Sequence, residues 1–312
     1  MTSKSLTIPL DRARVIAADI GFTEGPVWTG DGITVTSITR GALYRVDLDG
    51  GEPELVATPG GGPNGLAVDP RTGDLWVAQN GRVHMPARAS VPDRAPGLQR
   101  VRKGVVTQVL TVASGAPNDC AIGPDGMLWF TEPAGDPHGP LRRTGRVWAW
   151  DPRSGDRELK LTTDGYPNGL TFGIDGQTVY IAETRHGRVR RFGIDADGHL
   201  HEQSVLSLDR GFPDGLAVSD QGHVLVAGTS SGTVEIFDAD GEFLERIDFG
   251  EASMPTNLCF AGSRLDQLVV TLAKGGRVVA VDAGRSGHPL THTLHTSTSA
   301  SAFTSERNDR AS

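Results

Sequence analysis

One short phrase, written six times with drift, constrains this chain more than any other feature. A turn delivers a polar residue, then a small residue, then an apolar alternation that ends in a second turn. The copies are Glu24-Gly25-Pro26-Val27-Trp28, Pro63-Asn64-Gly65-Leu66-Ala67-Val68, Pro117-Asn118-Asp119-Cys120-Ala121-Ile122, Pro167-Asn168-Gly169-Leu170-Thr171-Phe172, Pro213-Asp214-Gly215-Leu216-Ala217-Val218 and Thr256-Asn257-Leu258-Cys259-Phe260. Their leading polar residues lie 40, 54, 50, 46 and 43 positions apart. That period is one four-stranded propeller blade, so six copies predict an all-β, six-bladed β-propeller.

The residues between the copies agree. Asp74–Ala78, Gly126–Phe130, Thr178–Ala182 and His223–Ala227 are rich in β-formers and follow turn residues, as second strands should. Third strands are expected at Ala42–Asp47, Gly145–Asp151, Gly187–Phe192 and Gly232–Asp238. No amphipathic helical period of useful length is visible. The propeller is expected over residues 13–283, with Ala13–Ala18 closing the ring on the last blade and removing its exposed edge. Residues 1–12 are expected as an extension, and 284–312 as a loosely held Ser/Thr/His-rich tail.

Charge and cysteine count narrow the class of partner. With 38 Asp+Glu against 30 Lys+Arg, the net charge of −8 lacks the positive footprint that a nucleic acid needs. No run reaches the ~18 apolar residues of a membrane helix. Two cysteines and an N-terminus without a long apolar run predict a cytoplasmic protein. Cys120 and Cys259 both fall on the slot that holds Leu66, Leu170 and Leu216, which predicts apolar packing between blades for both.

In a propeller the first strand of each blade lines the central channel, so equivalent residues share a ring about the axis. The six slots are Glu24, Asn64, Asn118, Asn168, Asp214 and Asn257, and none is apolar. Asn and Asp are ordinary turn residues, and one Pro-Asn-Gly alone carries little weight. Six converging polar slots with two carboxylates predict an axial site for one hard divalent cation held by oxygens. Calcium is the expected ion, with Zn²⁺, Mn²⁺ and Mg²⁺ as alternatives; no HxH, HExxH or CxxC pairing favours zinc.

These phrases, with Pro124-Asp125-Gly126 and Trp129-Phe130-Thr131, resemble the SMP-30/gluconolactonase/luciferin-regenerating-enzyme family over roughly Val15 to Asp282. The resemblance implies metal ligands at Glu24, Asn168 and Asp214, with Asn118 a further ligand or a substrate-contacting amide. It implies hydrolysis of a lactone or related ester. A carboxylate beside the metal can deprotonate a water, and Asp214 is the expected general base, with Asn118 beside it and Glu24 a plain ligand. Asn64, Arg82, His138 and His186 are candidates for substrate contact. The alternatives are a metal-dependent isomerase, lyase or phosphoesterase on the same site, or a non-catalytic propeller scaffold. Sugar-lactone members commonly carry Arg where this chain has Ala116. A less polar substrate is therefore expected, with Val83, Met85, Pro86, Val91 and Pro92 of the Gly81–Leu98 loop near the mouth. Arg82, Arg88 or Arg185 could replace the missing guanidinium.

Overall fold

A computed structural model describes residues 7–8, 13–83, 85–113, 115–136, 138–139 and 144–288. The strands assemble into six sheets around one axis, five of four strands and one of five, and the four blade strands of each run antiparallel to their neighbours. The expected architecture is the observed one. Blade one runs Thr23–Trp28, Ile33–Ser37, Ala42–Val46 and Glu54–Ala57; blade four runs Pro167–Phe172, Thr178–Glu183, Arg188–Ile194 and Leu200–Ser207. Among the described residues the one helical element is a single 3₁₀ turn, Thr184–His186, and no helix is long and apolar enough to cross a membrane.

The ring closes between the two ends of the chain. Ala13–Ala17 pairs antiparallel with Arg277–Val281 as the outermost strand of blade six. Thr7–Ile8 adds a parallel pair to Arg246–Ile247 on the rim of blade five. The C-terminal segment stays docked beyond the last strand. Ser219 bridges Gly287, the Gly287 amide donates to Leu265, and Arg285 pairs with Glu245. The expected loose tail is therefore held as far as His288; residues 289–312 lie outside the described set.

Apolar clusters between successive blades hold the ring together. Leu66 and Val68 of blade two pack on Leu43 and Ala57 of blade one, whereas Ala67 packs with Cys120, Ile122 and Phe130 of blade three. The alternation follows from the period of two along a strand, one face to each neighbouring blade. It repeats at Leu170 and Phe172 against blade three and at Leu216 and Val218 against blade four.

The same alternation shows that the sixth copy is read one residue out of register. Leu258, not Cys259, pairs with the second strand as Leu66, Leu170 and Leu216 do, and it faces the preceding blade. Cys259 takes the slot of Ala67 and Ala217 and faces Ile33 and Val35 of blade one. Cys120 packs as expected. The Cys259 expectation is corrected because blade six enters on Pro255-Thr256, which makes Thr256 the leading residue and puts Asn257 one step deeper.

That deeper step explains the glycines. A methyl group on Gly25 would lie 2.5 Å from the carbonyl oxygen of Asn64 on the next blade. Gly65 would meet Asp119, Gly169 would meet Asp214, and Gly215 would meet Asn257. Adjacent innermost strands approach too closely here for a Cβ directed at the neighbour. At this level blades three and six carry Asp119 and Asn257 instead, and both side chains reach across to the neighbouring strand.

Candidate active site

The innermost strands begin at the channel mouth, where in five of the six blades a β-bulge near the opening residue interrupts the ladder, as between Pro167 and Leu170. The bulge frees the Asn168 side chain from the alternation and leaves it at the rim of the channel. Glu24, Asn64, Asn118 and Asn168 are buried there, and Asp214 is half-buried.

Glu24 and Asn168 are held by neighbours. Glu24 Oε2 accepts from the Gly25 amide at 2.8 Å and from Asn257 Nδ2 at 3.1 Å. Asn168 Nδ2 donates to Thr184 Oγ1 at 3.0 Å, and that hydroxyl donates to the Pro213 carbonyl at 2.8 Å. With its amide nitrogen so fixed, Asn168 Oδ1 has no hydrogen-bond partner, and neither has Asn64 Oδ1. A buried polar oxygen without a partner costs about 1–3 kcal/mol, so two of them at one channel mouth call for a ligand.

Asp119 was missed as a site residue. It is buried, its Oδ1 accepts from the Cys120 amide at 2.9 Å, and its Oδ2 accepts from Leu170 N at 3.3 Å. Its signal in the sequence was the departure from Gly in the third copy. Carboxylates thus stand on blades one, three and five. Burial and the Asp119 charge push Glu24 up to about 8. Burial pushes Asp119 up to about 7. Asp214 is raised well above the carboxylate range by burial, then by Glu24 and Asp119. Among the described residues, no cationic side chain stands among the groups that shift any of the three.

Three mutually repelling acids without a counter-charge, beside two unsatisfied amide oxygens, match the donor chemistry of a hard divalent cation. The family profile of the SMP-30/gluconolactonase/LRE-like region matches residues 22–274. The chain belongs to this family. It is 30% identical over 281 residues to the pentonolactonase XacC of Haloferax volcanii, covering 84% of this chain and 85% of that protein. A gluconolactonase from Xanthomonas campestris superposes with a TM-score of 0.71 at 23% identity, covering 86% of this chain and 88% of that one. The calcium-binding protein regucalcin from Agrobacterium tumefaciens gives 0.71 at 20%, covering 88% and 95%. At these identities the two structures bear on the fold alone.

The other candidates of this SMP-30/gluconolactonase-like chain are dispersed. His138 is exposed, with its ring 4.6 Å from that of Phe212, which is two residues before Asp214. His186 Nε2 donates at 3.0 Å to Asp164 Oδ1, a half-exposed pair away from the ligand ring. Arg82 is held within its own loop by Asp93 at 2.8 Å and by the Arg88 and Val91 carbonyls. Arg185 is tied to the carbonyls of Asp136 and Gly139, both at 2.6 Å. The long loop lies back over blade one: Arg88 N donates to the Thr39 carbonyl, and Val91 is buried against Gly41. Val83 is 59% exposed. The Pro92 carbonyl of the same loop accepts from the Gly61 amide, three residues before Asn64. His84 lies outside the described residues.

A second acidic group, Asp195, Asp197 and His199, is fully exposed on a hairpin of blade four. Its Asp195 oxygens already accept from the Asp197 and His199 amides and from His201, which makes it a turn motif.

Proposed function

We propose that the chain is a divalent-cation-dependent hydrolase that opens a lactone or a related ester. The observation that carries this reading is the set of three axial carboxylates, without a cationic partner, beside the unsatisfied oxygens of Asn64 and Asn168. Likeness to a pentonolactonase over most of both chains supports the substrate class, and a donor set made only of carboxylate and amide oxygens favours calcium as the ion. Glu24, Asn168 and Asp214 would hold the cation, with Asn118 and Asn64 supplying further oxygens. Bound there, a hard cation polarises an acyl carbonyl and stabilises the negative charge that develops on its oxygen.

The chain's own residues do the rest. Asn257 and the Gly25 amide fix Glu24, and Thr184 fixes the Asn168 amide so that its oxygen faces the axis. The Cys120 and Leu170 amides hold Asp119 across from them. Asp214 is the most exposed of the three carboxylates. It takes a proton from water as the water oxygen bonds to the acyl carbon. The acyl carbon–ring oxygen bond then breaks, and Asp214 returns the proton to the departing alkoxide, leaving a hydroxy acid. A chelator-sensitive proton-release assay on a lactone panel tests the reading, with the open hydroxy acid identified as product. Turnover unaffected by chelation, or a cyclic product, would contradict it.

A further inference from the structure

Immediately outside the ligand ring lies a second ring, formed by the residue two positions before each leading slot. Its members are Phe22, Gly62, Ala116, Tyr166, Phe212 and Met254. The structure shows that five of them are equivalent. The carbonyls of Phe22, Gly62, Tyr166, Phe212 and Met254 each accept from the first amide after the second strand of the same blade: Ile38, Asn80, Thr184, Thr229 and Ala273. No member is charged. Four of the six are large and aromatic or apolar, in a chain that is 22% charged and only 6% aromatic.

Blades four and five carry the bulk of this ring. Tyr166 is buried to 6% exposure and lies within electrostatic reach of Asp214 and of Asp136. Its backbone holds a left-handed φ of 59°, as does Met254 at 58°. Bulky non-glycine residues adopt that region rarely and at a cost, so the turn here is over-determined by its surroundings. Phe212 directly precedes Pro213-Asp214 and meets the His138 ring at 59°. His138 comes from the blade-three loop, which Arg185 anchors through the Asp136 and Gly139 carbonyls. Parts of blades three, four and five thus meet in one cluster on the side of Asp214.

We propose that Tyr166 and Phe212, backed by His138 and continued at the rim by Met254, form an uncharged wall that selects lactones bearing a flat, apolar substituent over polyhydroxylated ones. The inference rests on the lactonase reading above and names its substrate class. A polyol placed against such a wall loses water from hydroxyls that gain no partner, at about 1–3 kcal/mol for each unsatisfied group. An aromatic ring placed there gains face or edge contacts with Tyr166 and Phe212.

The test compares kcat/KM for dihydrocoumarin and glucono-δ-lactone, both six-membered lactones, in the wild type, Phe212→Ala and Met254→Ala. In parallel, calorimetry follows binding of 2-tetralone, a carbon isostere of dihydrocoumarin that cannot be hydrolysed. The expected result is at least a tenfold preference for dihydrocoumarin, narrowed about tenfold in the folded variants, with weaker 2-tetralone binding in both. Met254→Ala, at an exposed position, keeps the test open if Phe212→Ala fails to fold. Preference for gluconolactone, or an unchanged ratio and unchanged 2-tetralone binding in Met254→Ala, overturns the inference while leaving the lactonase reading intact. If neither lactone opens but 2-tetralone binds in a way that Phe212→Ala or Met254→Ala weakens, the wall stands and the reaction reading fails.

Discussion

Asp214 is more exposed than its two fellow carboxylates, which backbone amides hold in place, and its proposed roles follow from that. Asp214→Asn keeps the shape of the side chain while deleting a charge and a base. It should lower kcat/KM by about 10²–10⁴ with the fold intact, measured by initial rates and circular dichroism. In the cation-free protein at pH 8 the same substitution should raise the unfolding midpoint, because it removes one of three repelling acids. A lowered midpoint there would mean that Asp214 is paired in a way the structure does not contain. The residue scale also shows what was legible beforehand. Glu24, Asn168 and Asp214 stood at equivalent points of a visible repeat. Asp119 did not, because its importance lies in replacing a glycine whose reason, contact between adjacent innermost strands, exists only once the ring is closed.

At the scale of the strand, alternation governs which changes are tolerated. Gly169 has the Asp214 carbonyl where a side chain would go, so Gly169→Ala should cost about 1–3 kcal/mol or more in a denaturant titration. The two cysteines offer a sharper comparison. Cys120 occupies a slot that is Leu in four other blades, and Cys120→Leu should cost less than about 1.5 kcal/mol. Cys259 occupies the Ala67 and Ala217 slot, and Cys259→Leu should cost clearly more. Equal costs would contradict the corrected register. The sequence misplaced Cys259 for a plain reason. Asn257-Leu258-Cys259 imitates Asn64-Gly65-Leu66 in its polar leader, and only the pairing of Leu258 with Val270 separates the two alignments. The Gly81–Leu98 loop was unreadable for a related reason. Its direction is set by backbone bonds to Thr39 and Gly61 on another part of the chain, which no local pattern announces.

For the molecule as a whole, the axial acids couple stability to pH and to the cation. In the cation-free protein Glu24 and Asp119 keep protons up to about 8 and about 7, while the unfolded chain releases them near 4–4.5. Between those limits the folded state binds more protons, so its stability falls as pH rises from about 4.5 to about 8. The thermal midpoint should therefore be lower at pH 8 than at pH 5 without cation. Calcium at 100 times its Kd should add about 2.7 kcal/mol at pH 8, and much less at pH 5, where protons compete for the same oxygens. The measurement that bears most directly on the central claim combines binding and turnover in one preparation. Chelator-stripped protein is titrated with Ca²⁺ by calorimetry at pH 8, and lactone opening is followed by proton release on the same samples, in wild type and Glu24→Gln. One site per chain, turnover that rises with its occupancy, and loss of both in Glu24→Gln are the predicted results. Turnover undiminished in stripped protein, or calcium binding unchanged in Glu24→Gln, would contradict the account.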